Sequence, residues 1–142
     1  MTVVSDQARG LIAAAENELL ALSHRVHAHP ELKFEEERSS AWVAGVLADH
    51  GLPIEMGVCD LPTAFVARVG DGPLHLSICA EYDALPAVGH ACGHNIIAAA
   101  AVGAGLSARC LASPRMTRSA PAASPPPSRI ARAFWTDRKS VV

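Results

Sequence analysis

The chain has 142 residues and a formal net charge of -2; half of the residues are hydrophobic and only 4% aromatic. That allows one domain with a modest core of Ala, Val, Leu and Ile. The opening MTVVSDQARG has no basic stretch followed by an apolar run, which argues against a signal peptide. The longest apolar stretch, Ile96 to Leu106, is too short to span a bilayer.

Leu11, Ile12, Ala15, Leu19, Leu22 and Val26 recur at three- and four-residue steps, so an amphipathic helix is predicted from Ser5 to His27. Pro30 disfavours helix at His29 and ends it. His24, His27 and His29 cluster at this helix end, where histidine suits the dipole; a metal pair at His24 and His27 is the alternative. A second helix is predicted from Glu35 to His50. Glu31 and the Glu35–Glu37 run read as a solvated turn and helix start, Trp42, Val43, Val46 and Leu47 as the buried stripe, and Gly51 as the stop. GLPIEMGV then reads as a turn into a short strand.

Ala64 to Val69 and Leu74 to Ala80 are two β-rich runs separated by Gly70-Asp71-Gly72-Pro73, read as a hairpin. In the second run His75, Ser77 and Cys79 alternate with Leu74, Leu76 and Ile78. A third helix is predicted from His94 to Ala108. Together these elements predict an α/β fold with helices packed on a mixed β-sheet. Periodicity then fails. Residues 1–107 carry 13 acids against 5 bases, whereas residues 108–142 carry 1 against 7, with five prolines. The division is therefore residues 1–107 as a folded unit and 108–142 as a Pro/Arg/Ser-rich tail, disordered or the product of a shifted reading frame.

The chemistry concentrates in AEYDALPAVGHACGHN, residues 80–95. Asp83 is placed at a strand end, where ligands bind in open α/β sheets. Cys92 and His94 flank Gly93 at the entry to the third helix. A thiolate and an imidazole two residues apart suit Zn²⁺, and less strongly Mn²⁺ or Co²⁺. Glu81 or Asp83 could bind the ion or orient a histidine. The alternative is a buried Cys92 between two surface histidines, His90 and His94. Cys59, Cys79 and Cys110 have no partner pattern and read as buried or idle thiols.

HAHPELKFEEERSSAWVAGVLADHGL, followed by TAFVARVGDGPLHLSICAEYDALPAVGHACGHN, resembles the start of the metal-dependent amidohydrolases of the aminoacylase/carboxypeptidase G metallopeptidase superfamily. The EYDALP and GHACGHN segments resemble the p-aminobenzoyl-glutamate hydrolase and dipeptidase branch. The resemblance covers residues 5–107. It implies that Cys92 and His94 are metal ligands and that Asp83 supports the metal site. Glu81 stands where many relatives have Asp or His, and Asn95 where others have Asp. HAHPEL matches an element near the site whose residues are not ligands. The implied reaction is hydrolysis of an amide joining an acyl group to an amino acid, with two metal ions activating water and stabilising the oxyanion.

The same resemblance implies a later Glu-Glu-Gly segment carrying the general base and a ligand, further His and Glu ligands, and a lid and dimerisation domain. Residues 108–142 contain no Glu and no His. The expected protein is therefore the N-terminal part of a cytoplasmic amidohydrolase acting on N-acyl amino acids, aminobenzoyl-glutamate or dipeptides, inactive by itself. Neither a nucleic acid nor a membrane is an expected partner. A non-catalytic metal-binding or interaction protein is the alternative.

Overall fold

The computed structural model describes residues 3–71 and 73–109. Helix α1 (Val3–Ala28), helix α2 (Glu37–Asp49) and helix α3 (His94–Ala108) carry most of the fold. Strand β1 (Ile54–Met56) and strand β2 (Phe65–Ala67) form an antiparallel pair, Ile54 opposite Ala67 and Met56 opposite Phe65, joined through a 3-10 turn at Val58–Asp60. The reading of 110–142 as a disordered or frame-shifted tail lies outside the described residues.

The core lies where the three helices meet. Ala15, Leu22 and Val26 of α1, Val43 and Leu47 of α2, and Ala98, Val102 and Leu106 of α3 are buried together with Leu52. These positions follow the helical repeat of each segment, so each helix hides one stripe. Gly103 lets α1 and α3 approach closely: a Cβ there would lie 3.0 Å from Leu19 Cδ1. Burying a Val or Leu side chain in such a core contributes about 1.5–3 kcal/mol. Leu11 and Ile12, predicted to share the stripe, are 40% and 44% exposed.

Helix α2 ends as its sequence requires. Gly51 takes φ +79°, its N–H donates to the Ala48 carbonyl at 2.8 Å, and Leu52 N–H donates to the Leu47 carbonyl at 3.0 Å. This left-handed stop, followed by the buried Leu52, satisfies the orphan carbonyls of the last turn.

The sheet differs from the expected one in two respects. Strand β2 pairs with β1, not with residues 74–80, and the pair is antiparallel only. The parallel component reduces to a single bridge between Leu32 and Ala84. Residues 74–80 form no strand, and Leu74 and Leu76 are 77% and 70% exposed. Their alternation suits a sheet, but a strand needs a neighbour to accept its ladder, and none of the described residues supplies one. Asp83 therefore does not end a strand; it precedes the Ala84 bridge.

Candidate metal centre around His94

His94 is the first residue of α3. Gly93 before it takes φ +81°, a conformation open to glycine at little cost. Its carbonyl receives the N–H groups of Ile96 and Ile97, so the bend and the first helical turn form together. This fixes the direction of the His94 ring. Nδ1 lies 2.8 Å from the Asp83 carboxylate and 2.9 Å from the Asp83 carbonyl; Nε2 lies 3.0 Å from the Glu81 carboxylate. All three side chains are partly buried, at 19% exposure for His94, 26% for Asp83 and 32% for Glu81.

A neutral imidazole has one N–H, yet here both nitrogens face carboxylates. Two protons, or one proton and one cation, complete the arrangement. A carboxylate on one ring nitrogen is also how ligand histidines are commonly oriented, leaving the other nitrogen for the ion. The donor set of His94 Nε2 and Glu81 with Asp83 behind thus fits a divalent cation on chemical grounds. Among the described residues, however, no three His, Cys, Asp or Glu side chains are arranged around one ion position. Cys92 is exposed, one residue before the Gly93 bend.

The exposure pattern reverses the alternative reading of a buried cysteine between surface histidines. His90 is 6% exposed, and neither ring nitrogen meets a partner at hydrogen-bonding geometry. Burial lowers its pKa below the usual histidine value, and the nearby His27 and His94 push the same way. The Val26 carbonyl and Asp83 oppose this only in part. The His27 and His90 ring centroids are 6.1 Å apart. Asn95 is buried and acts as a latch, its Nδ2 donating to Ser23 Oγ of α1 at 2.9 Å. Cys59 and Cys79 are exposed rather than buried.

Glu35 and Glu37 are exposed as expected of a solvated turn and helix start, but Glu31 and Glu36 are not. Glu31 receives the backbone N–H and Oγ–H of Ser39, each at 2.8 Å, and the backbone N–H and Nε–H of Arg38 at 3.1 and 3.2 Å. It thereby caps the free N–H groups at the start of α2. Burial alone would raise its pKa, but the Ser39 and Arg38 hydrogen bonds outweigh this and hold it below 4.5. Glu36 is 7% exposed and accepts from Phe34 N–H at 2.7 Å and Thr63 Oγ1 at 2.8 Å. Tyr82 and Ser40 both donate to the Thr63 carbonyl at 2.6 Å. Burial raises the Tyr82 pKa above 10.0, opposed by the Ser40 hydroxyl and assisted by the Glu36 and Asp83 charges.

One residue joins this scaffold to the site. The Glu31 carbonyl accepts the Ala84 N–H at 2.7 Å, next to Asp83. Beyond it, Leu85 and Gly89 exchange backbone hydrogen bonds at 2.9 and 3.1 Å, returning the chain to His90. An open cleft of about 330 Å³ runs between Leu32, Glu35 and this loop, with Asp83 in its wall. A second, smaller cleft of about 120 Å³ reaches Asp83 and Glu81 from the side of Phe34 and Thr63.

No family model matches the chain. Curated proteins do. A Xaa-Arg dipeptidase of Mus musculus is 38% identical over 108 residues, 69% of this chain and 25% of that protein. One of the p-aminobenzoyl-glutamate hydrolase subunits of Escherichia coli is 30% identical over 105 residues, 62% of this chain and 22% of that protein. An N-acyl-L-amino acid amidohydrolase of Geobacillus stearothermophilus is 27% identical over 108 residues, 66% of this chain and 29% of that protein. The chain is a partial homologue of one peptidase and amidohydrolase superfamily. It spans about a quarter of the length of the curated relatives it matches.

Within this peptidase and amidohydrolase homologue, sequence reasoning located Glu81, Asp83 and His94, and the structure brings these three together. It missed the structural parts played by Glu31, Glu36 and Asn95. A glutamate seven residues ahead of a helical Arg-Ser pair could have signalled the first, but nothing local signals the contact of Asn95 with Ser23. Among the described residues, no helix is long and apolar enough to cross a membrane.

Proposed function

We propose that residues 1–107 are part of the catalytic domain of a metal-dependent amidohydrolase, with Cys92 and His94 as metal ligands and Asp83 as the residue that orients His94. The observation that carries this reading is His94 held between the Asp83 and Glu81 carboxylates at 2.8 and 3.0 Å. The donor types suit Zn²⁺, with Mn²⁺ or Co²⁺ next. A divalent ion there would supply Lewis acidity toward an amide carbonyl and make water more acidic. Asp83 holds the proton on Nδ1 and so leaves Nε2 for the ion, and Glu81 faces Nε2 as the nearest local carboxylate. The segments Glu81 to Pro86 and Gly89 to Asn95 favour the p-aminobenzoyl-glutamate hydrolase and dipeptidase-like branch. The substrate class is then an N-acyl amino acid, aminobenzoyl-glutamate or a dipeptide.

The chain alone is proposed to be inactive. Amide hydrolysis needs a positioned base and a complete ligand shell, and among the described residues the shell is incomplete. The test is calorimetric titration of the purified chain with Zn²⁺. Weak uptake is expected for the wild type and none for Cys92→Ala or His94→Ala. Equal uptake by wild type and both variants would refute the ligand assignment. In the same preparations no hydrolysis of acetyl-amino acids, aminobenzoyl-glutamate or dipeptides is expected above the metal-only blank. Turnover lost in Cys92→Ala would instead identify a base within residues 1–107, Glu81 or Asp83 first. The non-catalytic reading, supported by the lack of a three-ligand group among the described residues, would gain from zinc binding without turnover even after the remainder of a relative is supplied.

A further inference from the structure

The reading of the His94 centre leaves His90 without a task. His90 is 6% exposed, and neither Nδ1 nor Nε2 meets a hydrogen-bond partner among the described residues. The Val26 carbonyl beside it already accepts the His29 N–H at 3.1 Å. A buried imidazole with both nitrogens unpaired is costly, and an ion or a water is the ordinary occupant of such a gap. The backbone holds the ring in place. Leu85 and Gly89 exchange hydrogen bonds just before it, and the His90 carbonyl accepts the Gly93 N–H at 2.9 Å. Pro30 backs the loop, 3.8 Å from where a Gly89 Cβ would stand.

His27, in the last turn of α1, faces this gap, its ring centroid 6.1 Å from that of His90 and the rings tilted by 32°. Two imidazoles that share one ion stand about 5–6.5 Å apart, given metal–nitrogen bonds of about 2 Å. His27 is exposed, and its ring makes no hydrogen bond or ion pair to another described residue. It is free to turn onto an ion, and water can fill the remaining positions. The surroundings favour positive charge. The end of α1 is the negative end of its dipole, and the Asp83 carboxylate is close enough to act on His90. We infer that His27 and His90 form a second cation site, sharing no ligand with Cys92 and His94, that takes a divalent transition-metal ion through two imidazoles and water. Imidazole donors without a thiolate suit Cu²⁺, then Ni²⁺ and Zn²⁺. Sequence spacing pairs His27 with His24 on α1; the fold pairs it with His90 instead. An ion here ties the end of α1 to the loop that leads into α3, and it does so whether or not the amidohydrolase reading holds.

The test uses the full 142-residue chain with Cys59, Cys79, Cys92 and Cys110 changed to Ser. This keeps thiols from reducing the probe, Cu²⁺, and removes the Cys92 ligand. Copper titration followed by electron paramagnetic resonance should show one ion per chain, split by two imidazole nitrogens. His27→Ala should weaken binding at least about tenfold. Because His27 is exposed, its circular dichroism should match that of the parent chain. His90→Leu should lose as much binding as His27→Ala. His24→Ala and His94→Gln should change the affinity by less than about twofold. No copper uptake, a spectrum with a single nitrogen, or equal affinity in His27→Ala and the parent chain would each overturn the inference. So would a loss in His24→Ala or His94→Gln as large as that in His27→Ala.

Discussion

Replacing Glu31 by Ala removes four hydrogen bonds at the start of α2 in one step. Two are the caps on the Arg38 and Ser39 N–H groups, together worth about 1 kcal/mol. The third, from Ser39 Oγ, matters more because Ser39 is fully buried. Leaving that hydroxyl without its charged acceptor costs about 2 kcal/mol. The Arg38 guanidinium bond adds little, since that side chain is 55% exposed. The expected loss is about 3 kcal/mol, read as a fall of about 2 M in the urea midpoint of a far-ultraviolet circular dichroism transition. Glu31→Gln keeps one acceptor oxygen for Ser39 and should lose about half as much.

The pH dependence provides an independent check. The Glu31 pKa is below 4.5 in the folded chain because the Ser39 and Arg38 hydrogen bonds outweigh the effect of burial. Its contribution is therefore complete above 4.5 and declines as pH falls through the lowered folded value. The stability gap between wild type and Glu31→Ala should narrow below that point, and the Gln variant should lack this trend. A loss under about 1 kcal/mol at pH 7, or a gap that stays constant to about pH 3, would refute the capping argument.

Asn95→Ala removes the donor to Ser23 Oγ and should cost about 2 kcal/mol in thermal unfolding; a cost below about 0.5 kcal/mol would show that the latch carries no weight. Gly93→Ala meets open space but keeps φ +81°, so a loss of about 1 kcal/mol should come from backbone strain alone; a neutral result would mean the bend relaxes. If residues 108–142 arise from a shifted frame, the coding DNA from about codon 105 onward should encode, in another frame, a Val/Leu-rich strand followed by a Glu-Glu-Gly segment. Absence of that pattern from both other frames would establish the tail as genuine.

The helices were legible because each carries its own instructions. Periodic apolar residues set α1 and α2, an Ala-rich run that is apolar throughout sets α3, and Pro30, Gly51 and Gly93 mark ends that depend on local backbone chemistry. The proximity of Asp83 and Glu81 to His94 was legible as a cluster in sequence, since a tight turn and one bend suffice to bring them together. Strand pairing was not. Residues 74–80 read as a strand from their alternation, but alternation says nothing about which segment accepts the ladder. Glu31 and Glu36 misled for a similar reason: a run of acids before a helix suits solvent and dipole alike. Only Ser39 and Thr63, brought in by tertiary packing, distinguish a buried cap from an exposed charge. His90 shows the same limit, because its burial depends on the return of the 85–89 loop.

Glu31 also makes the site audible at a distance. Its side chain holds the first turn of α2, while its backbone carbonyl holds Ala84 beside Asp83. Whatever steadies the 81–94 loop must therefore slow the opening of α2, and by linkage the reverse holds with equal free energy. The amides of Arg38 and Ser39, which donate to the Glu31 carboxylate, become remote reporters of occupancy at His94. They would register a bound ion or amide ligand through hydrogen exchange, without any chemical step taking place.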